Sequence, residues 1–288
     1  MKDIHDPGYI SQPDEKAQAV LRGRRIDLLV CDVDGTLVTS DEQLTARVAA
    51  RIAEAGQRGM TICIASGRPQ LGLLEVHHAL RLTTPIVSSG GADLYDPVTA
   101  RFLIHRTLHP DDVRCIAQAG REANVSVLFE FTDHMLLEGD CREAQKLSAR
   151  VAFDVPYVED ALRDITEMPT KIVLIGEEPA LAALQSSIGS VCDTVFIAKS
   201  QADFLDFTAG GVNKGSALKV LCQHLDIPLQ HTAAIGDSFN DESMLKLAGL
   251  SVCVRNAHPA LVQEADLIAP SNDESGVAWL LEQVFYAS

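Results

Sequence analysis

The sequence predicts an α/β protein, with a Rossmann-like parallel sheet core and a second, inserted α/β block. Three observations predict it. Short apolar runs alternate with helical periodicity at both ends of the chain. Several of those runs stop at an acidic or hydroxyl-bearing turn, and residues 108–209 between them carry an alternation of their own. A length of 288 residues leaves room for about two domains, one of them inserted.

Taken in order, residues 1–24 are polar, hold Pro7 and Pro13, and read as an arm or a poorly packed lead-in without evident chemistry. Ile26–Cys31 is a buried strand ended by D-V-D-G-T-L. Leu44, Val48, Ile52 and Ala55 recur at helical spacing, and Gly59 stands where that helix ends. Met60–Ala65 is a second strand, followed by S-G-R and by Pro69 at the expected first helical position. Pro85–Ser89 is a third strand with a hairpin attached. The inserted block reads as a helix near 110–123, strands near 125–131 and 134–138, a helix near 141–152 and further α and β elements, with joints at Pro110 and Gly210-Gly211. After the glycines come a helix near 213–226, a strand at 232–236, a helix near 240–248, strands at 250–254 and 266–269, and a last helix near 275–286. The expected division is therefore a core of 25–107 and 210–288 around a block of 108–209.

Composition narrows the function. With 47% hydrophobic and 22% charged residues the chain can build a core, which excludes global disorder. A formal charge of −16 repels nucleic acid and anionic membrane surfaces, so a small-molecule partner is expected and neither of those is. No run of signal-peptide length and no stretch of eighteen apolar residues stands out, and a cytoplasmic protein is expected. Seven scattered cysteines without a C-x-x-C pair read as reduced core residues.

The chemistry lies at the strand ends. Asp32 and Asp34 follow the first strand, on the edge of a parallel sheet where ligands bind, and Gly35 lets the chain turn. Two adjacent carboxylates are costly without a cation. Asp237 and Asp241, in G-D-S-F-N-D, follow another apolar strand in the same way, and oxygen-only ligands suit Mg²⁺ better than zinc. Ser66 offers a hydroxyl beside main-chain N–H groups, and Lys214 puts an ammonium at a helix start. A carboxylate beside Mg²⁺ can attack phosphorus in line, and a second carboxylate two residues on can move the protons.

In this order, D-x-D-G-T, S-G-R, G-V-N-K-G and G-D-x-x-N-D resemble the motifs of the haloacid-dehalogenase-like superfamily, specifically its Cof-type phosphatases. The resemblance extends over nearly the whole chain from about residue 26. It implies a three-layer core with a large α/β cap, Asp32 as nucleophile and Asp34 as general acid and base. It also implies Mg²⁺ held by Asp32, the main-chain carbonyl of Asp34, and Asp237, with Asp241 supporting them, and phosphate contacts from Ser66, Gly67, Lys214 and Asn240. Only 31 residues separate Asp34 from Ser66, whereas 147 separate Ser66 from Lys214, so the cap falls in the second gap. One departure is Gly90, where such proteins usually have Asn. Within the cap, F-E-F-T-D-H-M-L-L-E reads as two strands around a turn, with Asp133 and His134 either facing a substrate or solvated. The nine histidines are assigned ordinary surface or core roles.

The function expected from this reading is Mg²⁺-dependent hydrolysis of a small phosphorylated metabolite through an aspartyl-phosphate. Sugar phosphates, phosphorylated cofactors and nucleotides are all open as substrates. The alternatives are a phospho-receiver domain, which is about half this length, a phosphoryl transferase of the same superfamily, and an inactive metabolite-binding protein.

Overall fold

The structure is a computed structural model that describes residues 3–140 and 154–287. Leu28–Cys31 (β1) is apolar throughout, so both of its faces must be covered, and it lies inside a parallel sheet. Thr61–Ile64 (β2) pairs with one side of it and Thr232–Gly236 (β11) with the other. Leu250–Val254 (β12) and Leu267–Ala269 (β13) complete the order β13-β12-β11-β1-β2. Ala46–Gln57 (α2), Leu71–Ala79 (α3), Lys214–Leu225 (α7), Pro259–Glu264 (α9) and Gly276–Ala287 (α10) accompany this sheet. Ile86–Ser88 (β3) is bridged in parallel to it through Ala65 and Val87. It also opens a small antiparallel sheet with Asp93–Asp96 (β4) and Arg101–His105 (β5).

A second sheet, of order β7-β6-β8-β10-β9, is built between Pro110 and Gly210. Its strands are Ser126–Glu130 (β6), Met135–Glu138 (β7), Lys171–Ile175 (β8), Val195–Gln201 (β9) and Phe204–Ala209 (β10), all antiparallel neighbours. Alternation sorts its side chains. Phe129, Ile172, Leu174 and Phe207 form a separate apolar cluster with Pro110–Glu122 (α4) and Glu178–Gly189 (α6). Leu128, Glu130, Lys171, Val173 and Asp206 face the other way and are buried as well, because that face lies against the parallel-sheet core. The expected helix near 141–152, with Cys141, lies outside the described residues. Ala161–Asp164 (α5) is the next helix after it.

Three local expectations are corrected. The N-terminal arm is packed: Asp14 caps Glu15–Leu21 (α1), and Ala17 and Leu21 are buried against α10. Its polar residues meet a buried ion pair, in which Arg47 holds Glu282 at 2.7 Å and also donates to Ser11 Oγ and Ile4 O. Pro69 stands two residues before α3, because the Arg68 N–H is taken by Ser66 Oγ and the Arg68 carbonyl by the Ser89 N–H. The helix expected near 240–248 is a 3₁₀ turn over Phe239–Asp241 followed by the short Glu242–Leu245 (α8), since the Asp241 carboxylate folds back onto the N–H groups of Asp237 and Ser238.

The Arg47 pair makes a testable case. Both partners are at most 2% exposed, so Arg47→Met strands a charge in the interior and is expected to cost about 3–5 kcal/mol. Adding Glu282→Met should recover most of that loss, because an apolar pair has no ion to desolvate. Urea melts of the two variants decide it, and a loss below about 1 kcal/mol for Arg47→Met would reject the pair as a structural clamp.

The described cysteines are free thiols and all but Cys115 are buried. Among the described residues, no helix is long and apolar enough to cross a membrane.

Candidate active site

Three strand ends of the parallel sheet meet at one edge. Asp32 leaves β1 with its N–H on the carbonyl of Ile235 and is buried. The following turn brings Gly35 against Asp237, which leaves β11: a Cβ at Gly35 would lie 2.7 Å from Asp237 Oδ2, and its φ of +74° is strained for any other residue. Thr36 Oγ1 donates to Asp237 Oδ1 at 2.9 Å, so the T of D-x-D-G-T ties the two acidic turns together.

Lys214 enters from the first turn of α7, whose start is fixed by a capping box between Asn213 and Ser216. Gly91 approaches this cap so closely that a Cβ would sit 2.4 Å from Asn213 O, so the loop after β3 braces the lysine. Lys214 Nζ donates to Asp32 Oδ1 at 2.5 Å and to Asp241 Oδ1 at 2.6 Å, completely shielded from solvent. It is therefore placed behind Asp32, away from the open cavity. The other Asp241 oxygen accepts the N–H groups of Asp237 and Ser238, each at 3.0 Å.

Electrostatics at this point call for a cation. Oxygens of Asp32, Asp237 and Asp241 lie within 4.8 Å of one another, and one ammonium leaves three carboxylates two charges short. Burial, then the charge of Asp241, pushes the Asp32 carboxyl well above the usual carboxylate range. Burial, then Asp241 again, raises that of Asp237 to about 6. A hard divalent ion relieves both shifts, and the all-oxygen donor set fits one. Since both Asp241 oxygens are already engaged, Asp32 and Asp237 are the carboxylates with capacity to hold it.

In front of Asp32 lies a cavity of about 290 Å³ between the two sheets, with Asp34, Ser66, Gly67 and Asn240 on its wall. Gly67 lies 3.5 Å from the Asn240 amide, measured from the Cβ it lacks. Asp34 points to Arg68, which donates to its two oxygens at 2.8 and 2.5 Å. Gly90 (φ +68°) has open space where a Cβ would be, with only Thr208 nearby at 3.9 Å.

Asp133 and His134 sit at the tip of the β6–β7 turn, bonded to each other at 2.7 Å, with the His134 ring stacked on Phe131. Neither lines the cavity. Their ligand atoms approach that of Glu167 on an exposed surface.

Sequence reasoning missed Arg68, although S-G-R contains it, and missed Glu130, Lys171 and Asp206 of the second sheet. Glu130 ends one largely apolar strand, Lys171 begins another and Asp206 lies within a third, and a charge in a buried strand is the signal that would have found them. Lys171 Nζ binds Glu130 Oε2 at 3.0 Å and crosses to the Gly67 carbonyl of the core. Burial holds the Glu130 carboxyl above its ordinary range, and the charge of Lys171 reduces that upshift without cancelling it.

A family model described as haloacid dehalogenase-like hydrolase matches residues 29–281. The chain belongs to that family. Of its relatives, the HMP-PP phosphatase of Cronobacter sakazakii is 30% identical over 241 residues, covering 81% of this chain and 85% of its own length. A 5-amino-6-(5-phospho-D-ribitylamino)uracil phosphatase of Bacillus subtilis is 26% identical, covering 90% and 97%. The crystal structure of a haloacid dehalogenase-like hydrolase from Bacteroides thetaiotaomicron superposes with a TM-score of 0.82 at 27% identity, over 91% of this chain and all of that one. This haloacid dehalogenase-like protein is thus a phosphatase of the Cof type, which sets aside a receiver domain.

Proposed function

We propose that this phosphatase hydrolyses small phosphorylated metabolites with Mg²⁺ through an aspartyl-phosphate on Asp32. Residues 25–107 and 210–288 form the catalytic core, and 108–209 form the cap over it. The observation that carries this reading is the position of Asp32: a carboxylate at the floor of the cavity, held by a solvent-free ammonium on one side and by the Asp237 turn on the other. The relatives named above act on small phosphorylated compounds, which supports the same class here. Free thiols fit a reducing compartment, and we place the protein in the cytoplasm.

Asp32 attacks phosphorus, and the bond from phosphorus to the substrate oxygen breaks. Asp34 gives its proton to the departing alkoxide, then takes one from the water that cleaves the aspartyl-phosphate and releases inorganic phosphate. Before the first transfer Asp34 has to leave the Arg68 fork. Ser66, Gly67 and Asn240 hold the non-reacting phosphoryl oxygens, and Lys214 keeps Asp32 ionised and oriented. When bound by Asp32, Asp237 and the main-chain carbonyl of Asp34, Mg²⁺ supplies the positive charge that the phosphoryl group needs in so acidic a protein.

The test is phosphate release from a broad panel of phosphorylated metabolites by metal-stripped protein. Mg²⁺ should restore turnover and Ca²⁺ should not, because the larger ion takes more ligands and captures both oxygens of Asp32. Equal rates with the two ions would overturn the metal assignment.

A further inference from the structure

The cap sheet presents two rows of side chains to the cavity, and their register sorts polar from apolar. Glu130 stands opposite Lys171, and Lys171 opposite Thr208, in the row that reaches the core at Gly67. In the next row Leu128 stands opposite Val173, and Val173 opposite Asp206. Glu130 is 1% exposed and Asp206 6%, yet Glu130 Oε1 and Asp206 Oδ1 have no hydrogen-bond partner. The Ser89 hydroxyl comes near Glu130 without meeting it in hydrogen-bond geometry, and is itself unpartnered. Buried acceptors left unpaired are costly and uncommon, so a site that keeps two of them on one cavity wall is built to receive donors.

The charges point the same way. Lys171 is paired with Glu130, bonded to the Gly67 carbonyl and close enough to act on Asp206 as well, so one ammonium serves two carboxylates and this face keeps a net negative charge. Around it, Leu128, Met135, Val173 and Phe204 give the same wall an apolar surface. An anionic leaving group would meet a carboxylate across an apolar, poorly screened space. A neutral or cationic one with hydroxyl or amino donors and a carbon face would satisfy both orphan acceptors.

We infer that Glu130 and Asp206 form a leaving-group subsite that selects phosphate monoesters of neutral or cationic alcohols bearing hydroxyl or amino donors, and rejects those whose alcohol is itself an anion. This rests on the phosphatase reading above and adds to it the chemistry of the released alcohol. It also moves substrate choice from the Asp133–His134 turn to the sheet face.

The experiment compares kcat/KM of wild type, Glu130→Gln and Asp206→Asn on four phosphates with Mg²⁺ present: p-nitrophenyl phosphate, glucose 6-phosphate, glucosamine 6-phosphate and 3-phosphoglycerate. Wild type should favour the two sugar phosphates over 3-phosphoglycerate. Each variant should lose about 10- to 100-fold on the sugar phosphates while p-nitrophenyl phosphate, which offers no donor, changes by less than about threefold. Asp206→Asn should also narrow the gap to 3-phosphoglycerate. As a readout independent of the variants, glucosamine should compete with p-nitrophenyl phosphate in wild type and glycerate should not, so that a misfolded variant still leaves a decision. A common fall on all four phosphates, or a wild-type preference for 3-phosphoglycerate, would overturn the subsite. Wild type that fails to turn over p-nitrophenyl phosphate would instead overturn the phosphatase reading beneath it.

Discussion

Asp32→Asn should abolish phosphate release, with a fall of about 10⁴-fold or more, while leaving the protein folded. The amide preserves the shape that sits between Lys214 and the Asp237 turn, but it has no anionic oxygen with which to attack phosphorus. Its stability should move in the opposite direction to its activity. In metal-free protein the folded state holds the Asp32 carboxyl well above its ordinary range, chiefly through burial and then through Asp241, so at neutral pH the ionised aspartate opposes folding. Replacing it removes that penalty, and the metal-free melting temperature should equal or exceed that of wild type. The sign extends to pH. A carboxyl raised in the folded state makes that state bind more protons than the unfolded chain. Metal-free wild type should therefore gain stability as pH falls from 7 through the value of about 6 at which Asp237 titrates, towards its ordinary range near 4. Measured turnover above a hundredth of wild type would remove Asp32 from the nucleophile's role.

Lys214→Met is expected to damage both stability and catalysis. Lys214 Nζ is the shared donor to Asp32 and Asp241, and none of the three side chains is more than 6% exposed. Removing the ammonium leaves two buried carboxylates facing Asp237 with no positive partner, at a cost of about 3–5 kcal/mol near neutral pH in the absence of metal. Part of that loss should return on acidification, when the carboxylates accept protons, and part on adding Mg²⁺, which supplies charge to the same oxygens. Catalysis should not return with it: an ammonium fixed beside the attacking oxygen contributes a preorganised charge worth at least about 10²-fold in kcat. Thermal melts across pH with and without Mg²⁺, beside initial rates on p-nitrophenyl phosphate, separate the two effects. A variant as stable as wild type in metal-free buffer would show that the buried charges are balanced some other way.

Both variants concern residues visible in the sequence, and the reason is geometric. In a parallel sheet every strand delivers its carboxyl end to the same edge, so turns that are distant along the chain, at Asp32, Ser66 and Asp237, are brought together by topology alone. The two halves of the core were equally readable, because strands covered on both faces are continuous apolar runs bounded by abrupt turns. The family assignment rests on the same strand-end motifs and is shared by a match over residues 29–281.

The N-terminal arm was not readable in that way. Its polar residues signal solvent exposure when taken locally, but Ser11 and Asp14 find partners on Glu282 and Gln283, some 270 positions away, and the helix that Asp14 caps buries Ala17 and Leu21. Arg68 is a milder case. In S-G-R the serine hydroxyl is the group with evident phosphate chemistry, whereas the guanidinium reaches back 34 residues to fork onto Asp34.

By itself, then, the sequence determined the parallel core, the order of its strand ends, the insertion after Ser66 and the acidic residues that gather at those ends. These depend on local pattern and on a chain topology that admits few alternatives. Only the tertiary structure decided that Lys214 lies behind Asp32 rather than on the open cavity, that Asp241 has no oxygen to spare, and that the second sheet lines the cavity with Glu130, Lys171 and Asp206 while its Asp133–His134 turn lies off it. The physical reason is register. Which cross-strand neighbours share a row, and which face of the cap sheet turns to the core, is set by pairings between residues about 30 to 50 positions apart, and shifting any one by a single residue would turn its charged side chains away from the cavity.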